Sequence, residues 1–474
     1  MTGTPEEMVD PSQRNLALNR RQLLLGGAAA VGGAAFLAAC GDDDDDGSAD
    51  TEAPAETDGS ADTEAPADTE APADTEASGG DTGAADVGTT TLGSNFSDEV
   101  PKAALAAAIA TTGIDVEVNT IDHNTYQENF NTYIQQPDDV VSWFAAARMR
   151  AFAAKGVVGD ISDVWTEHLD DVMSDGFKLA STHSDDKQYL VPLANYAWGV
   201  HYRKSLFEEN GYEIPTTWDE FKALLDQMEA DGLVPIASAN DGKWPQMGWF
   251  DAINVRVNGY DFHVALLAGQ EDWTDDRVKE VFSRWEEILP YYQPDANGRT
   301  WQDAAVGVGD KTSGMMLLGN FIVETFDPET QDDIISDIDF FAFPEINPEH
   351  GQEAIEAPID GFMMAASPEN EEAAKALLAG LGQAPAGEEY SKINTGYVAA
   401  NSEASTDHYT PLQKKAAEVI ASASQITQFL DRDTDPDFAA NVAGVAIADF
   451  LTDPGQIDTI LATVQEQAQT YDFQ

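Results

Sequence analysis

Nine tryptophans occur in this 474-residue chain, and five of them, Trp143, Trp198, Trp244, Trp249 and Trp301, stand near amide or acid residues at expected strand ends or loops. An aromatic face can cover the C–H patch of a sugar ring, while Asp, Glu, Asn, Gln or Arg can fork onto neighbouring hydroxyls. The chemistry these residues offer is therefore recognition of a polyhydroxylated solute. Trp218 differs, because its place at a helix start suits packing. Asp360, beside Gly361 at an expected strand end, is a candidate hydroxyl acceptor, and Asn320 could donate, accept or end a helix. Arg148 and Arg256 could fork onto paired hydroxyls or a carboxylate, or form structural ion pairs.

Other chemistries fail on spacing. Asp431-Arg432-Asp433-Thr434-Asp435 opens like a calcium loop, but Pro436 stands where glycine is required and Val442 where a bidentate glutamate is required. Asp431 is retained as a possible cleft-lining acid. Gly307-Val308-Gly309-Asp310-Lys311-Thr312 has the wrong glycine spacing for a phosphate loop and reads as a turn. There is no Gly-x-Ser-x-Gly or His-Glu-x-x-His, and the seven histidines are scattered. Neither metal, cofactor nor catalytic residue is expected. An exported glycosidase stays open as an alternative, although it needs two carboxylates roughly 5 to 10 Å apart and no spacing supports a pair.

Arg20 and Arg21 precede an apolar run of about 18 residues, the layout of a twin-arginine export signal rather than a membrane span. Leu37-Ala38-Ala39-Cys40-Gly41 resembles the lipobox of bacterial lipoproteins, so Cys40, the single cysteine, is expected to carry diacylglycerol and residues 1–39 to be removed. Residues 40–89 then form a tether. It holds the run Asp42 to Asp46 and three Asp-Thr-Glu-Ala-Pro-Ala repeats, with too little apolar side chain to offset ordering entropy.

The formal charge is −62. The tether supplies about 17 acids and no base, leaving roughly 66 acids against 21 bases from residue 90 onward. So acidic a surface argues against nucleic acid or anionic lipid as partner, and suits a saline habitat in which charge repulsion is screened.

The elements that must position the candidates alternate between helix and strand periods, an α/β pattern long enough for two lobes. Ile114 to Val118 reads as a half-buried strand, and Val140-Val141 as a buried one ending at Ser142-Trp143. A helix opens at Trp218 with Thr217 as N-cap and Phe221, Leu224, Leu225 and Met228 on one face. Another spans Glu371 to Leu381, stopped by Gly382 and Pro385.

Val191-Pro192-Leu193-Ala194-Asn195-Tyr196-Ala197-Trp198-Gly199-Val200-His201-Tyr202-Arg203-Lys204, followed by Gly211 to Phe221 with its Pro-Thr-Thr-Trp-Asp-Glu, resembles the signature of bacterial extracellular solute-binding proteins of the carbohydrate-uptake type. Arg203 replaces the customary asparagine. Gly314 to Phe321, Phe341 to Pro344, Ala357 to Phe362 and Ser367 to Asn370 follow in the family's order, so the resemblance covers about residues 90–474.

The resemblance implies a two-lobed periplasmic-binding-protein fold with ligand in the cleft: lobe one from 90–200 plus 340–400, lobe two from 201–339 plus 401–474. Chain crossings are expected near Ala197–Tyr202, Ile338–Pro344 and Tyr397–Ser402. It implies that Asn195 and Tyr196 approach ligand and that Trp143, just after a lobe-one strand, contacts it. The implied activity is that of a lipid-anchored, monomeric receptor outside the cytoplasmic membrane, handing a sugar to the membrane subunits of an ABC importer. Trp143 and Asp360 would serve the first lobe, Trp244 and Trp301 the second. The same fold binding a non-sugar solute, such as an organic acid or polyol derivative, remains the alternative.

Overall fold

The computed structural model describes residues 87–352, 354–471 and 473. Arg20, Arg21, Cys40 and the tether repeats lie outside them. In chain order the strands are β1 (Thr89–Ser94), β2 (Asp115–Thr120), β3 (Val140–Phe144), β4 (Val191–Asn195), β5 (Trp198–Arg203), β6 (Val234–Ile236), β7 (Ser313–Gly319), β8 (Ile338–Phe341), β9 (Ala354–Glu356), β10 (Ile359–Met364), β11 (Val398–Ala399) and β12 (Gln425–Thr427).

They form two main sheets, one in each lobe of an α/β fold. The first runs β11-β4-β10-β3-β1-β2, with β1 parallel to β2 and β3, and β10 antiparallel between β3 and β4. The second runs β6-β7-β5-β8. Every residue of β3 is buried, as expected of a central strand covered on both faces. β2 is an edge strand, so its alternating pattern leaves Val118 40% exposed rather than half-covered.

Local signals set the helices. In Trp218–Ala230 the Thr217 hydroxyl accepts from the Glu220 amide and the Glu220 carboxylate accepts from the Thr217 amide, while Phe221, Leu224, Leu225 and Met228 are buried. Glu371–Leu381 has its expected bounds, but Pro385 does not follow a stop. It occupies the first turn of the next helix, Ala384–Ile393, where its missing N–H is harmless.

Only Tyr196 and Ala197 separate β4 in the first sheet from β5 in the second. The other passages differ from expectation because strand pairing extends further than the motif suggested. Ile338–Phe341 pairs with β5, so the return to the first sheet runs through residues 342–358 and contains β9. Val398–Ala399 still pairs with β4, and the last passage continues through the helix Pro411–Ser422 to β12, which lies parallel to β9.

Candidate functional site

The crossing segments and the facing ends of both sheets enclose a cavity of about 150 Å3. The chain after β1 brings Asn95 to Asp98 into its wall, the first turns of the helix His123–Tyr133 bring His123 and Gln127, and the end of β3 brings Phe144. Across from these stand Trp198, Trp244 and Trp301, with Phe321 and Glu324 from the helical turn Asn320–Thr325. Asp360 of β10 and the pair Asp431-Arg432 close the hinge side.

One side of the cavity is a connected polar network. Arg148 donates to Gln127 Oε1 at 2.7 Å and to Asp431 Oδ2 at 2.9 Å. Gln127 meets His123 Nε2 at 2.5 Å, and Asn95 meets His123 Nδ1 at 3.2 Å. Arg432 donates to Asp360 Oδ1 at 2.8 Å and to the Tyr196 hydroxyl at 2.9 Å. Its guanidinium carbon lies 4.1 Å from the Phe144 ring centroid, that of Arg148 4.8 Å. Both cations are thus fixed by acids and an aromatic face before any ligand arrives. Asp431 Oδ1, in contrast, is buried and without a partner, which leaves an acceptor for a ligand hydroxyl.

Titration follows the same geometry. Burial pushes the His123 imidazole below its ordinary value, Asp360 opposes the shift and the two arginines reinforce it, so the ring is neutral. Burial holds the Tyr196 hydroxyl well above its usual range. Burial also pushes the Glu324 carboxyl up to about 8, with Asp98 and Asp360 adding to the rise and the bond from Asn394 opposing it.

The other side is aromatic. The Phe321 ring meets Trp301 edge-on at 5.2 Å and Trp198 edge-on at 6.2 Å, and lies 6.1 Å from Trp244. Trp198 also lies over Phe429 at 4.9 Å. Its indole fits because residue 248 is glycine; a Cβ there would stand 2.5 Å from Trp198 Cζ3.

Of the residues singled out from sequence, Tyr196, Trp198, Trp244, Trp301 and Asp360 meet at this cavity, as do Arg148 and Asp431. Five do not. Trp143 is buried in the lobe-one core, stacked on Phe130 with centroids 3.5 Å apart; its strand neighbour Phe144 takes the wall position, since successive strand residues face opposite ways. Asn195, the last residue of β4, lines a separate groove together with Val398 and Gln428. Trp249 packs on Tyr292 and Phe343. Arg256 donates to the carbonyls of Phe343 and Ala354. Asn320 is buried and does not line the cavity.

Sequence reasoning passed over His123, Gln127, Phe144, Phe321, Glu324 and Arg432. Arg432 carries a signal, a cation enclosed by Asp431 and Asp433, within the segment that fails as a calcium loop. His123 and Gln127 sit four apart on one helix face, which becomes meaningful only opposite Arg148.

Two lobes around a small hydroxyl-ready cavity define a solute receptor. A model of the family of bacterial extracellular solute-binding proteins matches residues 89–388, and the chain belongs to that family. It is 24% identical over 296 residues to an uncharacterized ABC transporter extracellular-binding protein of Pyrococcus horikoshii, covering 61% of this chain and 64% of that one. It is 26% identical over 190 residues to a probable sugar-binding periplasmic protein of Rhizobium meliloti, covering 39% and 42%. The chain therefore spans about two fifths to just under two thirds of these relatives. Among solved structures, the bacterial solute receptor AcbH is 40% identical, covering 81% of this chain and 99% of that one, with a TM-score of 0.78. A chitin oligosaccharide binding protein shares the fold at 20% identity, covering 82% and 100%, with a TM-score of 0.73.

Proposed function

We propose that the protein is an extracellular receptor that captures one neutral monosaccharide, of the galactopyranose class, and presents it to an ABC importer without turnover. The observation that carries this is the cavity itself: about 150 Å3, with an aromatic wall facing fixed hydroxyl partners. Pockets for drug-sized molecules run to about 300–1,000 Å3, so this one suits a single ring. Six carboxylates against two guanidiniums line it, and both guanidiniums are already paired. That balance repels an organic acid and suits a neutral polyol. AcbH is described as having an exclusive substrate preference for β-D-galactopyranose, which supports the same cargo here.

Capture works by population shift: the sugar touches both walls only when the lobes are together, and so stabilises that form. Gln302 of the Trp301–Gly309 helix already reaches Asp98 across the cavity mouth, 3.2 Å from its Oδ2. Export through Arg20-Arg21, anchoring through Cys40 beyond the acidic tether, and action as a monomer complete the proposal. No described helix is long and apolar enough to cross a membrane.

The test is isothermal titration of the full chain with D-galactose, D-glucose, D-xylose, lactose, citrate and glycerol. One neutral hexose should bind with no product formed on incubation. Tighter binding of citrate than of any sugar would overturn the reading.

A further inference from the structure

The cavity's carboxylates are not equivalent. Asp360 and Asp431 each hold an arginine, at 2.8 and 2.9 Å. Asp98 receives Gln302, and Asp122 caps a helix through the Thr125 amide. Glu324 has no cation. Its Oε1 accepts from Asn394 Nδ2 at 2.6 Å, and among the described residues no donor reaches its Oε2. The side chain is partly accessible from the cavity but otherwise enclosed by protein.

Its surroundings give an anion nothing to pair with. Asp98, just before the helix Glu99–Thr112, and Asp360 on β10 bear on it with like charge. Tyr390 of the helix Ala384–Ile393 and Tyr397 beyond it face it as well, and burial keeps both phenols neutral. Arg148 and Arg432 are occupied by Asp431 and Asp360. A carboxyl enclosed this way, next to two acids and one amide, is held as the uncharged acid.

Building on the sugar-receptor reading, we propose that Glu324 is a specificity-determining residue that meets the bound sugar as a neutral carboxylic acid, its Oε2–H donating to a sugar oxygen. Among the unpartnered polar atoms of the lining residues, Arg148 Nε and Trp198 Nε1 are donors and Asp431 Oδ1 is an acceptor; Glu324 adds an acid O–H at its own place beside Phe321. Its neutrality also makes affinity depend on pH. With the carboxyl titrating at about 8, about a tenth of the receptor keeps this proton one unit above that value, and apparent affinity falls with the competent fraction.

Calorimetric titration of the full chain with D-galactose from pH 6.5 to 9.5 tests this, with Glu324→Gln alongside. Wild type should weaken about tenfold between pH 7 and 9. The variant, which keeps a donor but cannot ionise, should bind within about threefold of wild type at pH 6.5 and stay flat. A wild-type affinity that does not change with pH, or a variant with the wild-type slope, overturns the proposal. A second measurement separates it from the sugar reading: the thermal midpoints of both proteins without sugar. If D-galactose fails to bind at pH 6.5, the receptor reading for this sugar falls, yet a midpoint gap that shifts against wild type from pH 7 to 9 still supports the neutral carboxyl. A gap constant with pH removes it.

Discussion

The lobe-one side of the cavity is a bonded chain of polar groups, Asn95, His123, Gln127 and Arg148, joined by the hinge-side Asp431, whereas the lobe-two side is a cluster of rings gathered on Phe321. The polar side is held by long-range bonds fixed before binding, so it can discriminate hydroxyl positions at little ordering cost. The aromatic side has few directional demands and supplies apolar contact to any ring that lies flat on it. Selectivity should therefore reside mainly in lobe one, the hinge and the single carboxyl of Glu324, and general affinity in the lobe-two rings.

The largest effects test whether buried and cavity-lining groups have separate roles. Arg432→Ala leaves Asp360 and Tyr196 buried without their cation and should cost about 3–5 kcal/mol of folding stability by urea denaturation. Trp143→Ala should cost a similar ~3–5 kcal/mol because it empties a lobe-one core site, whereas Trp301→Ala or Trp244→Ala should leave stability within about 1 kcal/mol. Each of the latter two should instead weaken D-galactose binding by about 1–3 kcal/mol, roughly 5- to 150-fold. Binding unchanged within twofold in both would remove the aromatic wall from the account of affinity.

A smaller effect sharpens the comparison from behind the wall. Gly248→Ala would press a methyl against the Trp198 indole, moving the ring into the cavity. It should cost about 1–3 kcal/mol of stability and narrow the site, weakening D-galactose more than a smaller triol such as glycerol.

The smallest expected effect is global. Burial raises Asp251 and Glu356 well above the ordinary carboxylate range, and raises Glu324 to about 8. Acids with raised native pKa contribute stability that is full below about pH 4 and lost as pH climbs toward the native value. His201 and His263, lowered by burial to about 4 and about 3, contribute stability that is full above about pH 6.5 and lost on acidification. Above pH 6.5 only the acids still change, so the thermal midpoint should fall from pH 6.5 to 9, and Asp251→Asn should flatten that fall. A midpoint rising over this range would contradict the buried-acid assignment.

Local rules carried the reading where neighbours in sequence are neighbours in space. The Thr217 capping box, the buried stripe of Trp218–Ala230 and the buried strand β3 follow from spacing alone. So did the family, through the Val191 to Lys204 segment. At the site the same rules do not resolve neighbours: of Trp143 and Phe144 it is Phe144 that lines the cavity, and of Asn195 and Tyr196, both candidates from sequence, it is Tyr196. Strand alternation fixes that neighbours point apart, but not which of them meets the ligand.

By itself the chain determined its element types, its acidity, the family resemblance and the aromatic and acidic residues available. Only the tertiary structure decided which of them meet. Arg148 bonds a side chain 283 positions away and Arg432 one 236 positions away, and such partners are set by where three chain passages converge. The state of Glu324 was decided in the same way: a glutamate on an exposed turn would be an ordinary anion, and this one is neutral because burial and two distant aspartates leave its charge unsolvated.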